Sequence, residues 1–527
     1  MQLPEFKNEP LSDFKGNPEH ARRMKEAVEE VAKELGRDYD LIIGGGRIKT
    51  QDKLVSYDPG QKDRVVGSFS KANKDLATRA IEVADQTFKT WSRVPAEERA
   101  DLLLRTSKII RERKYYYSAW LVYEVGKTWP EADADVAETI DFCEYYSREM
   151  LRLSKPLPLT PVPGEKNYMK YIPLGVGVVI PPWNFPMAIL AGMTLASIVA
   201  GNTVVLKPSS DSPTVGYKFV EALEQAGMPP GVVNFCPCPG GSVGDVLVGH
   251  PRTRYIAFTG SKDVGLHINE LAAKTAPGQV WIKRVLAEMG GKDSIIVDSE
   301  TDLDQAVEGV AVSAFGYQGQ KCSACSRVVV LEQVYARFLE RLKAAAESLP
   351  LGPVEDPANL VGAVIDAAAQ EKIRRFVDLG RREGKTLLVR KPPAGAGFAV
   401  PLAIFHEVKR RARIANEEIF GPVLSVFKVK DFDQALEVAN DSPYALTGGV
   451  FSRSPVNLAK AVRGFRVGNL YLNRGVTGAV VGRHPFGGSG LSGLGTKAGG
   501  PDYLLSFLIP RTISENNLRR GFAPDAI

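Results

Sequence analysis

The stretch Val176-Gly-Val-Val-Ile180-Pro-Pro-Trp-Asn184-Phe-Pro186-Met-Ala-Ile-Leu-Ala-Gly-Met-Thr-Leu-Ala-Ser-Ile-Val-Ala200-Gly-Asn-Thr203-Val-Val-Leu206-Lys207-Pro-Ser decides the fold. Two short apolar runs, Val176 to Ile180 and Thr203 to Leu206, bracket a longer segment, Met187 to Ala200, whose length suits a helix. The rhythm continues through a helical segment at Thr214 to Ala226 and strand-like runs at Val232 to Phe235 and Tyr255 to Phe258. Strands alternating with helices imply βαβ crossovers, hence an α/β fold with a doubly wound parallel sheet of nucleotide-binding type.

A second alternating block follows Glu288: a helical pattern from Leu303 to Phe315, a strand at Arg327 to Leu331 and a helix from Val334 to Ala346. It predicts a second α/β domain, as 527 residues exceed what one core usually organises. Between Lys155 and Lys170, four prolines (Pro156, Pro158, Pro161, Pro163) rule out a helix interior and suit an extended excursion from the sheet. Before the first strand-like segment, Leu41 to Ile43, apolar residues at Met24, Val28, Val31 and Leu35 predict an amphipathic helix stopped by Gly36.

The composition, 44% hydrophobic and 24% charged, is that of an ordinary globular chain, and a formal charge of +6 is small for this length. The densest basic run, Lys409 to Arg413, is short and lacks interleaved aromatics, so it reads as a solvated face and not a nucleic-acid site. No apolar run approaches the ~20 residues needed to span a bilayer. Five irregularly spaced cysteines do not make a disulfide framework, and the first helix mixes Lys25 with Glu26, Glu29 and Glu30, unlike an acid-poor transit peptide. These features point to a cytoplasmic protein with small-molecule chemistry.

Two motifs admit more than one reading. Gly488-Ser-Gly490-Leu-Ser-Gly493 matches the dinucleotide fingerprint by letter, but no strand leads into it, so it reads as a flexible loop. Phe258-Thr-Gly260-Ser261-Lys-Asp-Val-Gly265 comes off a strand and opens a helix, which is the better setting for a pyrophosphate. Cys322-Ser-Ala-Cys325 could be a redox pair or half a zinc site, but nothing completes a zinc set, and no metal is expected.

From about Leu41 onward the chain resembles the aldehyde dehydrogenase superfamily. The resemblance rests on ordered motifs: Pro182-Trp183-Asn184-Phe185-Pro186, Lys207-Pro-Ser, Phe258-Thr-Gly-Ser261, Glu288-Met-Gly-Gly-Lys292, Gly319-Gln-Lys-Cys322, Glu417-Glu-Ile-Phe-Gly-Pro422 and Pro485-Phe-Gly-Gly488. It implies a Rossmann-type NAD(P)-binding domain over residues 1–154 and 177–287 and a catalytic domain over 288–490. Residues 155–176 and 491–527 would form a small β oligomerisation arm and C-terminal segment, in a homodimer or dimer-based homo-oligomer. Cys322 would be the nucleophile, Glu288 the base, and Asn184 with the Cys322 N–H the oxyanion hole. That chemistry is sound, because oxidising an aldehyde by hydride transfer needs a tetrahedral adduct, which a thiolate makes well. A thiol is mostly protonated at neutral pH, so the site must lower its pKa or supply a base.

The resemblance also implies cofactor contacts from Trp183, Lys207, Gly260, Ser261, Glu418 and Phe420. Where the family often has a glutamate for the adenine ribose, this chain has Ser210, which favours use of NADP beside NAD. Within the superfamily, Gly468-Asn-Leu-Tyr-Leu-Asn473-Arg474-Gly-Val-Thr477-Gly478-Ala479-Val-Val-Gly482, Asp135-Val-Ala-Glu-Thr-Ile-Asp-Phe142 and Lys497-Ala-Gly-Gly-Pro-Asp-Tyr503 are similar to the 1-pyrroline-5-carboxylate dehydrogenases. That implies oxidation of L-glutamate γ-semialdehyde in proline degradation. Gly478, Ala479 and Ser323 would hold the substrate carboxylate, and Phe185 and Phe486 would flank its chain. A monofunctional enzyme is expected, since 527 residues leave no room for a further barrel domain. The alternatives are a broad-specificity aldehyde dehydrogenase, a catalytically silent binding protein, and a thiol-disulfide oxidoreductase built on Cys322 and Cys325.

Overall fold

Buried parallel strands are continuous apolar runs because both faces are covered by helices, and this is how the quoted stretch folds. The computed structural model describes residues 3–518. Val176–Ile180 and Thr203–Leu206 are strands with the expected bounds, and Ala188–Val199 is the helix between them. The expected Val232 start moves to Val233–Phe235, and Tyr255 to Phe258 lengthens to Thr253–Thr259. The eight-stranded sheet runs Gly493–Leu494, Arg284–Glu288, Thr253–Thr259, Val176–Ile180, Thr203–Leu206, Val233–Phe235, Leu41–Ile43, Gly46–Ile48. Its five central strands are parallel.

A seven-stranded sheet follows the order Lys385–Arg390, Leu402–His406, Val423–Val429, Cys325–Leu331, Asp293–Val297, Thr447–Phe451, Asn469–Leu472, and is parallel except at Lys385–Arg390. The helix Leu303–Phe315 has the expected bounds because Asp302 accepts from the Asp304 and Gln305 N–H groups at one end and Gly316 follows at the other. The proline-rich excursion forms the strands Leu157–Pro158 and Glu165–Pro173, the latter pairing antiparallel with Leu508–Asn516.

The N-terminal helix Pro18–Ala32 buries Met24, Ala27 and Val31. It ends before Leu35, contrary to the sequence pattern, and Gly36 at φ +77° turns the chain into an additional short strand, Arg37–Tyr39. Glu124, wholly buried, accepts the Thr214 and Val215 N–H groups at 2.7 Å each. It caps the helix Pro213–Gln225, whose first-turn amides would otherwise be buried without partners. That cap fixes the end of the segment carrying Lys207 and Ser210 to the core. Among the described residues, no helix is long and apolar enough to cross a membrane.

Candidate active site

In the eight-stranded sheet the chain runs from Val176–Ile180 outward to Thr203–Leu206 and Val233–Phe235, then returns to the other side of Val176–Ile180 for Thr253–Thr259. Loops leaving the carboxyl ends of strands on either side of such a reversal diverge and leave a crevice. Asn184, Lys207 and Ser261 all lie just beyond those ends. Ser261 stands at the N-cap of the helix Lys262–Ala273 and makes no side-chain cap bond, so the first-turn amides there point at the crevice. The Gly260 N–H is fixed by the Glu288 carbonyl at 3.0 Å. Lys207 is buried, its Nζ 3.2 Å from the Pro208 carbonyl, and Ser210 is half-buried.

Two of the expected cofactor residues meet from distant parts of the chain. Trp183 and Phe420 pack edge to face with centroids 5.5 Å apart. Phe420 sits at φ +60°, a conformation that costs a non-glycine residue about 1–3 kcal/mol and tends to be kept where a site needs it. Glu418 accepts the Gly291 N–H at 3.1 Å, and a Cβ on Gly290 would lie 2.2 Å from its carboxylate oxygens. Gly290 is therefore required by the approach of Glu418, and Gly291 by Asp293 and the Cys322 carbonyl, which a Cβ there would meet at 2.4 and 2.6 Å.

A cavity of about 490 Å³ gathers Cys322, Glu288, Ser323, Phe185, Phe486, Gly478 and Ala479. Gly478 adopts φ +74°, which glycine takes without strain. Asn184 donates to the Gln320 carbonyl at 2.9 Å, fixing its amide beside the Cys322 loop. It does not cap the following helix, whose Ala188 N–H is instead taken by Asp135 at 2.6 Å. Burial pushes the Cys322 thiol well up, reinforced by Asp293, Glu288 and Glu418. Of the two routes to a thiolate, a lowered thiol is not the one this structure shows. Burial also raises the Glu288 carboxyl to about 8, opposed by the Gly488 N–H and the Lys497 charge.

Cys325 is a different kind of cysteine. It is buried at the start of a strand, 3.3 Å from the Arg327 carbonyl, and all five cysteines are free thiols. The glycine-rich run after Phe486, expected to be flexible, is instead a cradle for Glu288. The Gly488 N–H donates to the Glu288 carboxylate at 3.0 Å, Gly493–Leu494 pairs with Ala287–Glu288, and Ser492 Oγ donates to the Gly290 carbonyl at 2.8 Å. Lys497 lies beneath it, donating to the Gly468 carbonyl at 2.7 Å and to that of Gly487.

Several cavity residues escaped the sequence reading. The helix Trp129–Leu153 presents Glu131, Ala134, Glu138 and Asp141, spaced along one helical face. Glu138 and Asp141 lie in a motif already singled out, but helical spacing alone does not say which face meets the cavity. Lys321, also in a quoted motif, pairs with Glu131 at 2.6 Å. Burial and Asp135 lift the Glu138 carboxyl to about 8. Beneath Phe185, Lys127 lies 3.6 Å from the ring centroid and 3.0 Å from Asp135, both charges wholly buried. Asn8 to Leu11 complete the lining from the far end of the chain.

Residues 48–513 match the model of the aldehyde dehydrogenase family. A 1-pyrroline-5-carboxylate dehydrogenase from Geobacillus kaustophilus is 53% identical over 510 residues, which span 97% of this chain and 99% of that one. A Thermus 1-pyrroline-5-carboxylate dehydrogenase crystallised with bound NAD superimposes with a TM-score of 0.96 at 50% identity, covering 98% of this chain and 100% of the other. Proline utilization A from Bdellovibrio bacteriovorus gives a TM-score of 0.97 at 46% identity, covering 99% of this chain and 55% of that larger one. With the motifs, the sheet order and the cavity in agreement, the chain belongs to the aldehyde dehydrogenase family.

Proposed function

We propose that this enzyme oxidises L-glutamate γ-semialdehyde, the open form of 1-pyrroline-5-carboxylate, to L-glutamate in proline degradation. The observation that carries this reading is the cavity itself. A thiol and a carboxylate of raised pKa share it with Ser323 and the Gly478–Ala479 turn, while Phe185 and Phe486 line it. Backbone N–H groups at Gly478 and Ala479 with the Ser323 hydroxyl suit a carboxylate, and the acidic face of Glu138 and Asp141 suits an ammonium. An α-amino acid carrying an aldehyde at the end of a short apolar chain meets each of these demands. The relatives bearing the 1-pyrroline-5-carboxylate dehydrogenase name support the same substrate.

Cys322 Sγ adds to the aldehyde carbon as its proton leaves to solvent, and the Asn184 amide and Cys322 N–H stabilise the oxyanion. NAD, when bound, accepts the hydride that converts this adduct to a thioester. Glu288, ionised, takes a proton from water as it attacks the thioester carbon, and the C–S bond breaks to release the acid and the Cys322 thiolate. Lys207 and Glu418 suit the cofactor's ribose hydroxyls, Ser261 its pyrophosphate, and Trp183 and Phe420 its nicotinamide end. We take residues 1–154 and 177–287 as the cofactor domain and 288–490 as the catalytic domain. The sheet of Leu157–Pro158, Glu165–Pro173 and Leu508–Asn516 is read as the arm of a homodimer or larger dimer-based assembly, in a cytoplasmic setting that suits free thiols.

Three measurements test this reading. In steady state, glutamate semialdehyde should exceed butanal and succinate semialdehyde in kcat/KM by at least about tenfold: butanal lacks the carboxylate, whose charge-assisted hydrogen bonds contribute about 1.5–3 kcal/mol each, and succinate semialdehyde keeps it but lacks the amino group and is too short to reach Cys322 from the anchor. Equal values for all three would refute the substrate. Turnover limited by hydrolysis should rise with pH through a midpoint near 8, since Glu288 is protonated and inactive as a base below it. A flat profile across that range would remove Glu288 as the base. NADP should be used beside NAD, because Ser210 offers no carboxylate to repel a 2′-phosphate; Ser210→Glu should selectively raise the KM for NADP. Wild-type enzyme inactive with NADP would show that another group excludes it, Asp211 being the adjacent carboxylate.

A further inference from the structure

The segment before the first helix crosses the cavity as a strap. The Pro4 carbonyl accepts from Arg148, the Pro10 carbonyl from Lys114 at 2.8 Å, and Ser12 binds Asp133 through both its N–H and its hydroxyl, at 2.8 and 2.7 Å. These ties hold it to the helices Lys114–Val125 and Trp129–Leu153 and bring Asn8 to Leu11 to the wall of the cavity that contains Cys322. At its centre one amide makes two long-range bonds. Asn8 Nδ2 donates to the Asp141 carboxylate at 2.8 Å and to the Val481 carbonyl at 2.9 Å. Asp141 is held in place by a second bond, from the Glu9 N–H at 2.6 Å.

Val481 belongs to the turn that begins at Gly478. Residues 477–480 form no strand or helix, with Gly478 at φ +74° and Gly482 at φ +76°. Such a turn presents its amides in one direction only if its ends are fixed. Val476 is fixed by Ser313 at 3.1 Å and Gly482 by the Gly499 carbonyl at 2.8 Å. Arg474 donates to the Thr477 and Gly478 carbonyls at 3.4 and 3.3 Å, and the strap adds a tie at Val481. Phe6 packs edge to face on Tyr145 with centroids 5.2 Å apart, and a Cβ on Gly482 would meet its ring at 3.1 Å. The strap thus grips the turn at adjacent residues, by an apolar contact at Gly482 and a hydrogen bond at Val481.

We propose that the N-terminal strap is part of the substrate site and that Asn8 is a positioning residue: by bridging Asp141 and Val481 it sets the Gly478–Ala479 amides at the distance the substrate carboxylate requires. This rests on the substrate reading given above. Asn8 touches neither Cys322 nor Glu288, so its loss acts on anchoring and not on bond making. A misplacement of about 1 Å in a positioning element can cost up to about a hundredfold.

The test is steady-state kinetics of Asn8→Ala and of Asn8→Asp, which keeps the size but replaces the donating amide with a carboxylate. Glutamate semialdehyde and butanal are compared, with thermal melting recorded for each protein. The KM for glutamate semialdehyde should rise by about tenfold or more in both variants, while its kcat and the kinetics with butanal stay within about twofold. An unchanged KM, or an equal loss on both aldehydes, overturns the proposal; the second result would mean a general structural role. If wild-type enzyme does not favour glutamate semialdehyde, the substrate reading fails and takes this inference with it. A wild-type preference that survives both substitutions overturns the role of Asn8 alone.

Discussion

The hydrogen bond from the Gly488 N–H to the Glu288 carboxylate, 3.0 Å long, is the constraint on which the site depends. Glu288 ends the last central strand of one sheet, and Gly488 lies in the loop that leaves the other sheet and returns to pair with Glu288's own strand. The bond therefore closes the two sheets on each other at the reacting centre. Backbone has to come this close, and side chains would prevent it: a Cβ on Gly487 would lie 2.8 Å from the Glu288 carboxylate and one on Gly493 3.0 Å from it. The glycines are a steric requirement of the Glu288 carboxylate.

Closing the centre shields its groups from bulk solvent, and the shielding sets the electrostatics. A buried acid prefers its neutral form, so the thiol of Cys322 and the carboxyl of Glu288 both rise. The single Gly488 bond and the Lys497 charge keep Glu288 near 8, where it exchanges protons at physiological pH. Asp293, by contrast, sits at the base of the Cys322 loop with its carboxyl well above the usual range through burial, and accepts the Thr447 N–H at 2.8 Å. Neighbouring carboxyls thus divide into one that can act and one that braces the second sheet.

What could be read from the sequence followed from local rules. The runs Val176–Ile180 and Thr203–Leu206 were legible because buried parallel strands are continuously apolar, and Leu303–Phe315 because Asp302 caps it and Gly316 stops it. The prolines of 156–163 announced the excursion that pairs with Leu508–Asn516. The failures share one cause, that meaning came from distant partners. Gly488 to Gly493 looks like a free loop until Glu288 is seen beneath it. Asn8 has no local signal because its partners are 133 and 473 residues away. Glu138 and Lys321 lay in recognised motifs, yet only the packing of Trp129–Leu153 against the Cys322 loop turned them toward the cavity.

On the proposed mechanism a carbon chain with the substrate's carboxylate and amino group becomes attached to Cys322 and leaves only when Glu288 activates water. Peptide mass spectrometry of Glu288→Gln, quenched after mixing with NAD and glutamate semialdehyde, tests this directly. A glutamyl acyl group is expected on the peptide that carries Cys322, located on that residue with Cys325 unmodified, and one equivalent of reduced cofactor formed with it. Turnover at the wild-type rate with no adduct, or an adduct on Cys325, would contradict it.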